Sequence, residues 1–371
     1  MSKRWNVTTP VLWALLLVAA PARAQTKVAF LGDQGLGADS VAVLQMIEDE
    51  GAEAVMHPGD LDYADNPAAF WNQVNSVLGS TFPYFITCGN HDESQWYAAN
   101  GYQDRFEARM SALGIPWSGD LGVKSTFVWR GIRFVLTAPG SFGSNHNVYI
   151  RDRFAADPTS LWRISTWHKN QTLMQVGTKG NETGWGVYEE SRKAGAIIIT
   201  AHEHSYCRSH LLSDCDNPTI ASTSNTLELE ADDPATTADE GRTFVVVSGL
   251  AGESIRDQQR DDPWWASIYA SDQGADYGAM FCTFGDAGPR HASCYFKAIN
   301  DDIPDAYFVR TPHGVAVAEC NDDFDNDADG DVDFPADAQC WSPTDPVEGE
   351  GGCGLGVELV LLLPLLARLR R

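Results

Sequence analysis

The chain has 371 residues, 43% hydrophobic and 11% aromatic, which is enough apolar content to bury a sizeable core. Its formal net charge of −25 excludes nucleic acid or an anionic membrane surface as the main partner. Part of that charge is local, because residues 319–350 carry many Asp and Glu and no Lys or Arg.

Residues 1–24 have three parts. Lys3 and Arg4 form a positive start, residues 11–20 an apolar stretch too short to span a bilayer, and Ala22-Arg23-Ala24 a small-x-small cleavage site. This reads as a secretory signal peptide cut after Ala24. Export permits disulfides. Three cysteine pairs are close in sequence: Cys207–Cys215, Cys282–Cys294 and Cys320–Cys340. Cys88 and Cys353 are left over, and Cys88 reads as a small buried hydrophobe.

The next stretch repeats one pattern. The apolar run 28–31 ends in Gly32-Asp33-Gln34-Gly35, and an amphipathic helix follows over 39–50 with Val41, Leu44 and Ile47 on one face. The run 54–56 ends in Pro58-Gly59-Asp60-Leu61-Asp62-Tyr63, followed by a helix over 68–78. The run 84–87 ends in Cys88-Gly89-Asn90-His91-Asp92. Strand, polar turn and helix in repetition are the mark of βαβ units.

Further along, a helix is predicted over 103–113 and a hairpin over 125–129 and 133–136 about Arg130-Gly131. A strand over 161–166 ends in Trp167-His168-Lys169-Asn170, and a helix over 186–194 precedes the apolar run 196–199. That run reads as a short buried strand and stops at His202-Glu203-His204. Two histidines two apart on an extended backbone point the same way. The acidic, Thr/Ser-rich 214–240 reads as a surface loop or hairpin excursion. Then come a strand over 244–247 and a hairpin of 279–284 with 293–297.

The globular part is expected to end near Thr311. Residues 318–341 read as an acidic loop bracketed by Cys320 and Cys340. Its Asp325, Asp327, Asp329, Gly330 and Asp333 approach the spacing of a calcium loop. The twelfth position is Ala336 where an EF-hand needs Glu, so a small calcium-stapled loop is expected instead, with a solvated acidic linker as the alternative. Residues 342–371 read as a linker and a C-terminal signal. Cys353-Gly354, an apolar run of about 13 residues, short for a stable span, and Arg368, Arg370 and Arg371 resemble a bacterial C-terminal sorting signal. The acidic segment before it resembles tails on exported proteins of myxobacteria-like organisms. These resemblances imply contact with a membrane or a sorting machinery, with a plain membrane helix as the alternative.

Five polar clusters share one position. Asp33, Asp60 with Tyr63, Asn90 with His91, His168, and His202 with His204 each follow an apolar strand candidate. In open α/β sheets ligands bind beyond the carboxyl ends of strands, so neighbouring, similarly directed strands bring every cluster to one edge. Asp, Asn, Tyr and His without thiolate suit Fe, Zn or Mn. There are more ligands than one ion needs, and a two-metal site with a shared carboxylate accommodates them. Phosphate esters are the substrates that such chemistry fits best.

The motifs GDQG, GDLDYAD, GNHD, WHKN and AHEHSYCR resemble those of the calcineurin-like metallophosphoesterases, and most closely the purple acid phosphatase branch. The resemblance covers roughly 27–208. Ser165 stands where the branch has Val and Ala201 where it has Gly, and neither change removes a ligand. The resemblance implies a four-layer α/β/β/α sandwich with the catalytic domain over 25–312. It implies one ion on Asp33, Tyr63 and His204, a second on Asn90, His168 and His202, and Asp60 as the bridge. A phenolate from Tyr63 would favour Fe(III), with Fe, Zn or Mn beside it. His91 would give a proton to the leaving alcohol, oriented by Asp92, and a metal-bound hydroxide would attack a small phosphate monoester directly. Tyr206 and Arg208 would contact substrate or brace the histidine loop. His57, His146, His210, His291 and His313 read as surface or supporting residues, and Trp264 and Trp265 as packing. Two alternatives stand beside this reading: a phosphodiesterase or nucleotidase with the same site, and a surface-anchored binding module with an inert core.

Overall fold

Two β-sheets face each other with helices outside both, so the chain folds as a four-layer α/β/β/α sandwich. The computed structural model describes residues 25–157, 159–233, 235–312 and 339. The expected signal peptide, the acidic segment with Asp325, Asp327, Asp329 and Asp333, the expected Cys320–Cys340 pairing, His313 and the expected C-terminal signal fall on positions outside those residues. Among the described residues no helix is long and apolar enough to cross a membrane.

The first sheet has seven strands, in the order Thr226–Glu228, Asp305–Arg310, His291–Ala298, Gly278–Phe284, Thr26–Phe30, Ala54–His57 and Tyr84–Ile86. Its last three strands are parallel, with Phe30 opposite Met56 and His57 opposite Ile86. Their carboxyl ends are therefore level. The second sheet has eight strands, in the order Trp265–Tyr269, Tyr206–Ser209, Val245–Ser248, Ile197–Thr200, Trp162–Thr166, Ile132–Thr137, Lys124–Trp129 and Trp117–Asp120. Four neighbours, from Val245–Ser248 to Ile132–Thr137, run parallel.

Alternation along a strand decides what each residue packs against. Ile197 and Ile199 belong to the large core between the sheets, and Ile198 to the layer under the outer helices His146–Ala155 and Gly186–Lys193. Both faces of the strand are covered, which is why it reads as an unbroken apolar run. The helices Ala38–Asp49, Pro67–Leu78 and Tyr102–Ala112 form the layer outside the first sheet. The second of these starts where Asn66 accepts the Ala69 N–H at 3.1 Å and Pro67 fills the first turn.

The two sheets are tied at their carboxyl edges. The Gly32 N–H donates to the Ser248 carbonyl at 2.8 Å, and the Ala251 N–H donates to the Gly32 carbonyl at 3.1 Å. A side chain at position 32 would put its Cβ 2.4 Å from that of Ala201. The glycine of the first motif is what lets the Ala201 turn come this close.

Several elements differ from the sequence reading. The 214–240 segment does contain a hairpin, Leu211–Asp214 with Thr219–Ser222, but Thr226–Glu228 then joins the first sheet beside Asp305–Arg310. The helix His146–Ala155 and the strands Trp117–Asp120, Tyr206–Ser209 and Trp265–Tyr269 had no clear sequence signal. Cys282 and Cys294 are register partners on adjacent strands and form the expected disulfide. The Cys207–Cys215 pairing is corrected, since both are free and buried. Cys207 packs with Val176, Val247 and Trp265, whereas Cys215 packs in the separate cluster with Val187 and Tyr188.

Candidate metal centre

Each cluster of the sequence reading leaves its strand through a sharp turn at the tied edge. Asp33, Asp60, Tyr63 and His202 all adopt positive φ, at 60°, 57°, 55° and 71°. Non-glycine residues seldom hold this conformation, which costs of order 1–3 kcal/mol each and clusters at functional sites. The close approach of neighbouring turns adds a constraint. A Cβ at Gly89 would fall 2.2 Å from Asp60 Oδ1, so only glycine lets the Asn90 turn pass the Asp60 carboxylate. The backbone at His202 is turned rather than extended, and its two histidines serve different halves of the site.

In the first half, the Tyr63 hydroxyl donates to Asp33 Oδ1 at 2.7 Å and lies 3.1 Å from His204 Nε2. His204 Nε2 is 3.4 Å from the same Asp33 oxygen. In the second half, His168 Nε2 is 3.0 Å from Asp60 Oδ2 and 3.0 Å from His202 Nδ1. Asp60, His168 and His202 offer ligand atoms within 4.8 Å of one another. Asp33 also joins the halves, since its Oδ2 accepts the His202 N–H at 2.8 Å.

The nitrogens that face away are each held. His168 Nδ1 pairs with the Pro58 carbonyl at 3.2 Å, His202 Nε2 with Glu182 Oε2 at 2.8 Å, and His204 Nδ1 with Ser254 Oγ at 2.5 Å. Metal-binding histidines are oriented in this way, through a partner on the second nitrogen. Asn90 Oδ1 is buried and has no hydrogen-bond partner among the described residues. A buried acceptor left so costs about 1–3 kcal/mol, which a bound cation would remove. The donor chemistry therefore fits metal: Asp33, Tyr63 and His204 gather on one side, and Asp60, His168 and His202 on the other.

Residues 26–206 match the model of the calcineurin-like phosphoesterase family. That stretch is of the calcineurin-like phosphoesterase type. GAP50, the anchor in the inner membrane complex of Plasmodium, is similar in structure at TM-score 0.49 and 12% identity, over 77% of this chain and 89% of that one. PhoD is similar at 0.44 and 12%, over 77% and 68%. A dimetal phosphatase from Danio rerio is similar at 0.41 and 10%, over 77% and 99%. No curated protein matches the chain.

The electrostatics of this calcineurin-like centre are set by burial against close charge. Burial pushes the Asp33 carboxyl upward, but His204, His168 and the Tyr63 hydroxyl outweigh it and hold it far below the ordinary carboxylate range. Burial works against a charged His168, yet Asp60 raises it above the ordinary value. Burial, His168 and Lys179 push His202 down. Burial, Asp33 and Asp60 raise the Tyr63 phenol well above its usual value, so only a strong Lewis acid would make it a phenolate.

His91 is exposed at the rim, its ring centroid 4.5 Å from that of Tyr63 and its N–H donating to Asp60 Oδ1 at 2.8 Å. Asp92 does not turn toward that ring. Its buried side chain accepts the amides of Asp60, Leu61 and Gly89 at 2.9, 2.9 and 2.8 Å and ties the Asp60 and Asn90 turns together. Burial and the Asp60 charge push it up to about 8.

Tyr206 and Arg208 are turned away from the centre. Tyr206 donates to Asp305 Oδ2 at 2.7 Å, and Arg208 makes two bonds to the same carboxylate at 2.7 and 2.9 Å, all buried. They brace the strand after the histidine turn and do not reach substrate. His57 is fully buried under the turns and accepts the Gly59 N–H at 3.1 Å.

The sequence reading missed Lys179, Glu182, Ser254 and Arg256. Two signals pointed to them. The 19 residues from 167 to 185 separate a strand from the next helix, and loops of that length are commonly functional. The strand Val245–Ser248 ends at the same edge as the others, so its exit, GLAGESIR, belonged among the clusters.

Proposed function

We propose that the protein is an exported phosphatase that hydrolyses phosphate monoesters at a binuclear metal centre. The observation that carries this reading is the arrangement of the three histidines. Each is anchored through one nitrogen and turns the other inward, His204 to Asp33 and Tyr63, and His168 and His202 into one group with Asp60. Two cations held there supply Lewis acidity and an activated water at neutral pH.

The chain's own residues do the rest. Asp60 sets the spacing of the two halves, and Asp92 fixes the turns on which Asp60 and Asn90 sit. His91, exposed beside Tyr63, is the residue that would give the leaving alcohol its proton. The Tyr63 hydroxyl between Asp33 and His204 supports the purple acid phosphatase branch, and with it Fe(III) beside Fe, Zn or Mn. Export rests on the leader-like first 24 residues, and the Cys282–Cys294 disulfide supports it, since such bonds persist in oxidising compartments. The arginine-ended C-terminal signal supports attachment at the cell surface.

The leaving group tests the reading. Metal analysis of the purified protein should give two ions per chain, and p-nitrophenyl phosphate should turn over faster than bis-p-nitrophenyl phosphate. His91→Asn should slow an alkyl phosphate about 100-fold, and p-nitrophenyl phosphate far less, because nitrophenolate leaves without a proton. Equal losses on both would remove His91 as the acid. A preference for the diester would replace the phosphatase by a phosphodiesterase.

A further inference from the structure

Two cationic side chains reach the centre from loops outside the motif set. Lys179, half-buried in the loop after the His168 turn, places Nζ 2.9 Å from His202 Nδ1. Arg256, on the exit of the strand Val245–Ser248, places Nη2 3.3 Å from His204 Nε2 and Nη1 3.3 Å from the His202 carbonyl. Its side chain is 39% exposed, and beyond it opens a cleft of about 320 Å³ lined by Gly177, Thr178, Ile255 and Gln259 together with the carboxylates Glu203 and Asp257. Thus one cation stands at each half of the centre, on the nitrogens that turn inward.

Arg256 has an ion pair of its own, whereas Lys179 has none within 4 Å among the described residues. Arg256 pairs with the buried Glu203 at 3.4 Å, and Lys179 lies on a histidine rather than a carboxylate. A long ammonium or guanidinium cannot share a nitrogen with a bound metal, because like charges at that distance repel. Both chains are long enough to swing outward and still cover the mouth.

We propose that Lys179 and Arg256 grip the non-bridging oxygens of a phosphate monoester dianion and so select monoesters over diesters. This rests on the phosphatase reading above and names the residues that give it specificity. A monoester carries two negative charges and three free oxygens, so it engages both cations. A diester carries one charge and two free oxygens, one of which is crowded by the second ester group. Charge-assisted bonds of this kind also offset the carboxylates Asp33 and Asp60 at the centre.

The test uses the metal-loaded full chain with Lys179→Met, Arg256→Met and both together. Three quantities are read: metal content, binding of inorganic phosphate by calorimetry, and kcat/KM on the mono- and bis-p-nitrophenyl esters. Each single variant should keep two metals, weaken phosphate about 10-fold or more, and lose more monoester than diester rate, by about tenfold. Lys179→Arg should recover part of the loss. Unchanged phosphate binding, equal losses on both esters, or loss of metal with the charge would each overturn the proposal. A wild-type protein that binds phosphate through these residues but hydrolyses no ester would overturn the phosphatase reading and leave the grip standing.

Discussion

At the scale of single residues, the centre is built on side chains whose environments oppose their preferred charge. His57 makes this measurable. Burial pushes it from 6.5 down to about 3, so the folded chain refuses a proton that the unfolded chain accepts. Its contribution to stability is complete above pH 6.5 and is lost as pH falls toward 3, because the unfolded state binds more protons in that window. Urea unfolding of wild type and His57→Gln between pH 4 and 7 should give a shallower pH slope for the variant. Identical slopes would mean that His57 titrates normally. Glu182 is measurable too. It holds the outward nitrogen of His202, and replacing it with Gln should weaken metal binding about 10- to 100-fold, seen by competition with a chelator. The motif residues were all readable, because each falls within a few positions of an apolar run. Glu182 and Ser254 were not, because a hydrogen bond to the far nitrogen of a histidine can come from any loop.

At the scale of elements, the buried strand Ile197–Thr200 carries the histidine turn and fixes its height at the edge. Ile199 is fully buried between the sheets and Ile198 is fully buried under the helices. Ile199→Ala should cost about 2–5 kcal/mol and Ile199→Val about 0.5–1.5, measured by denaturant midpoint. A loss near zero for both would place the strand outside the core. The helix boundaries expected from periodicity agree within a residue or so with Ala38–Asp49, Pro67–Leu78 and Tyr102–Ala112, because amphipathic spacing and the Asn66-Pro67 start are local signals. The strand Tyr206–Ser209 was hidden for the opposite reason. Arg208 is buried only because Asp305, 97 residues later, supplies its carboxylate, and no local pattern announces a partner that distant.

At the scale of the whole molecule, the centre joins turns from both sheets, so bound metal should stabilise the fold and not only the reaction. At 100 times its dissociation constant a ligand of the folded state adds about 2.7 kcal/mol. Metal-stripped protein should therefore unfold at lower denaturant than reloaded protein, and an unchanged midpoint would mean that the turns are held without metal. The sequence by itself determined the alternation of strand and helix, the order of the motif turns and the chemical type of the motif side chains. It did so because periodicity, glycine at sharp turns and ligand-type side chains are written in short windows. Only the tertiary structure decided which strands are neighbours, that Asp33, Asp60, Tyr63 and His202 sit in strained turns, that Cys207 and Cys215 stay apart, and that Lys179 and Arg256 reach the centre. Those outcomes depend on contacts between residues tens to hundreds of positions apart, which packing selects and local sequence does not encode.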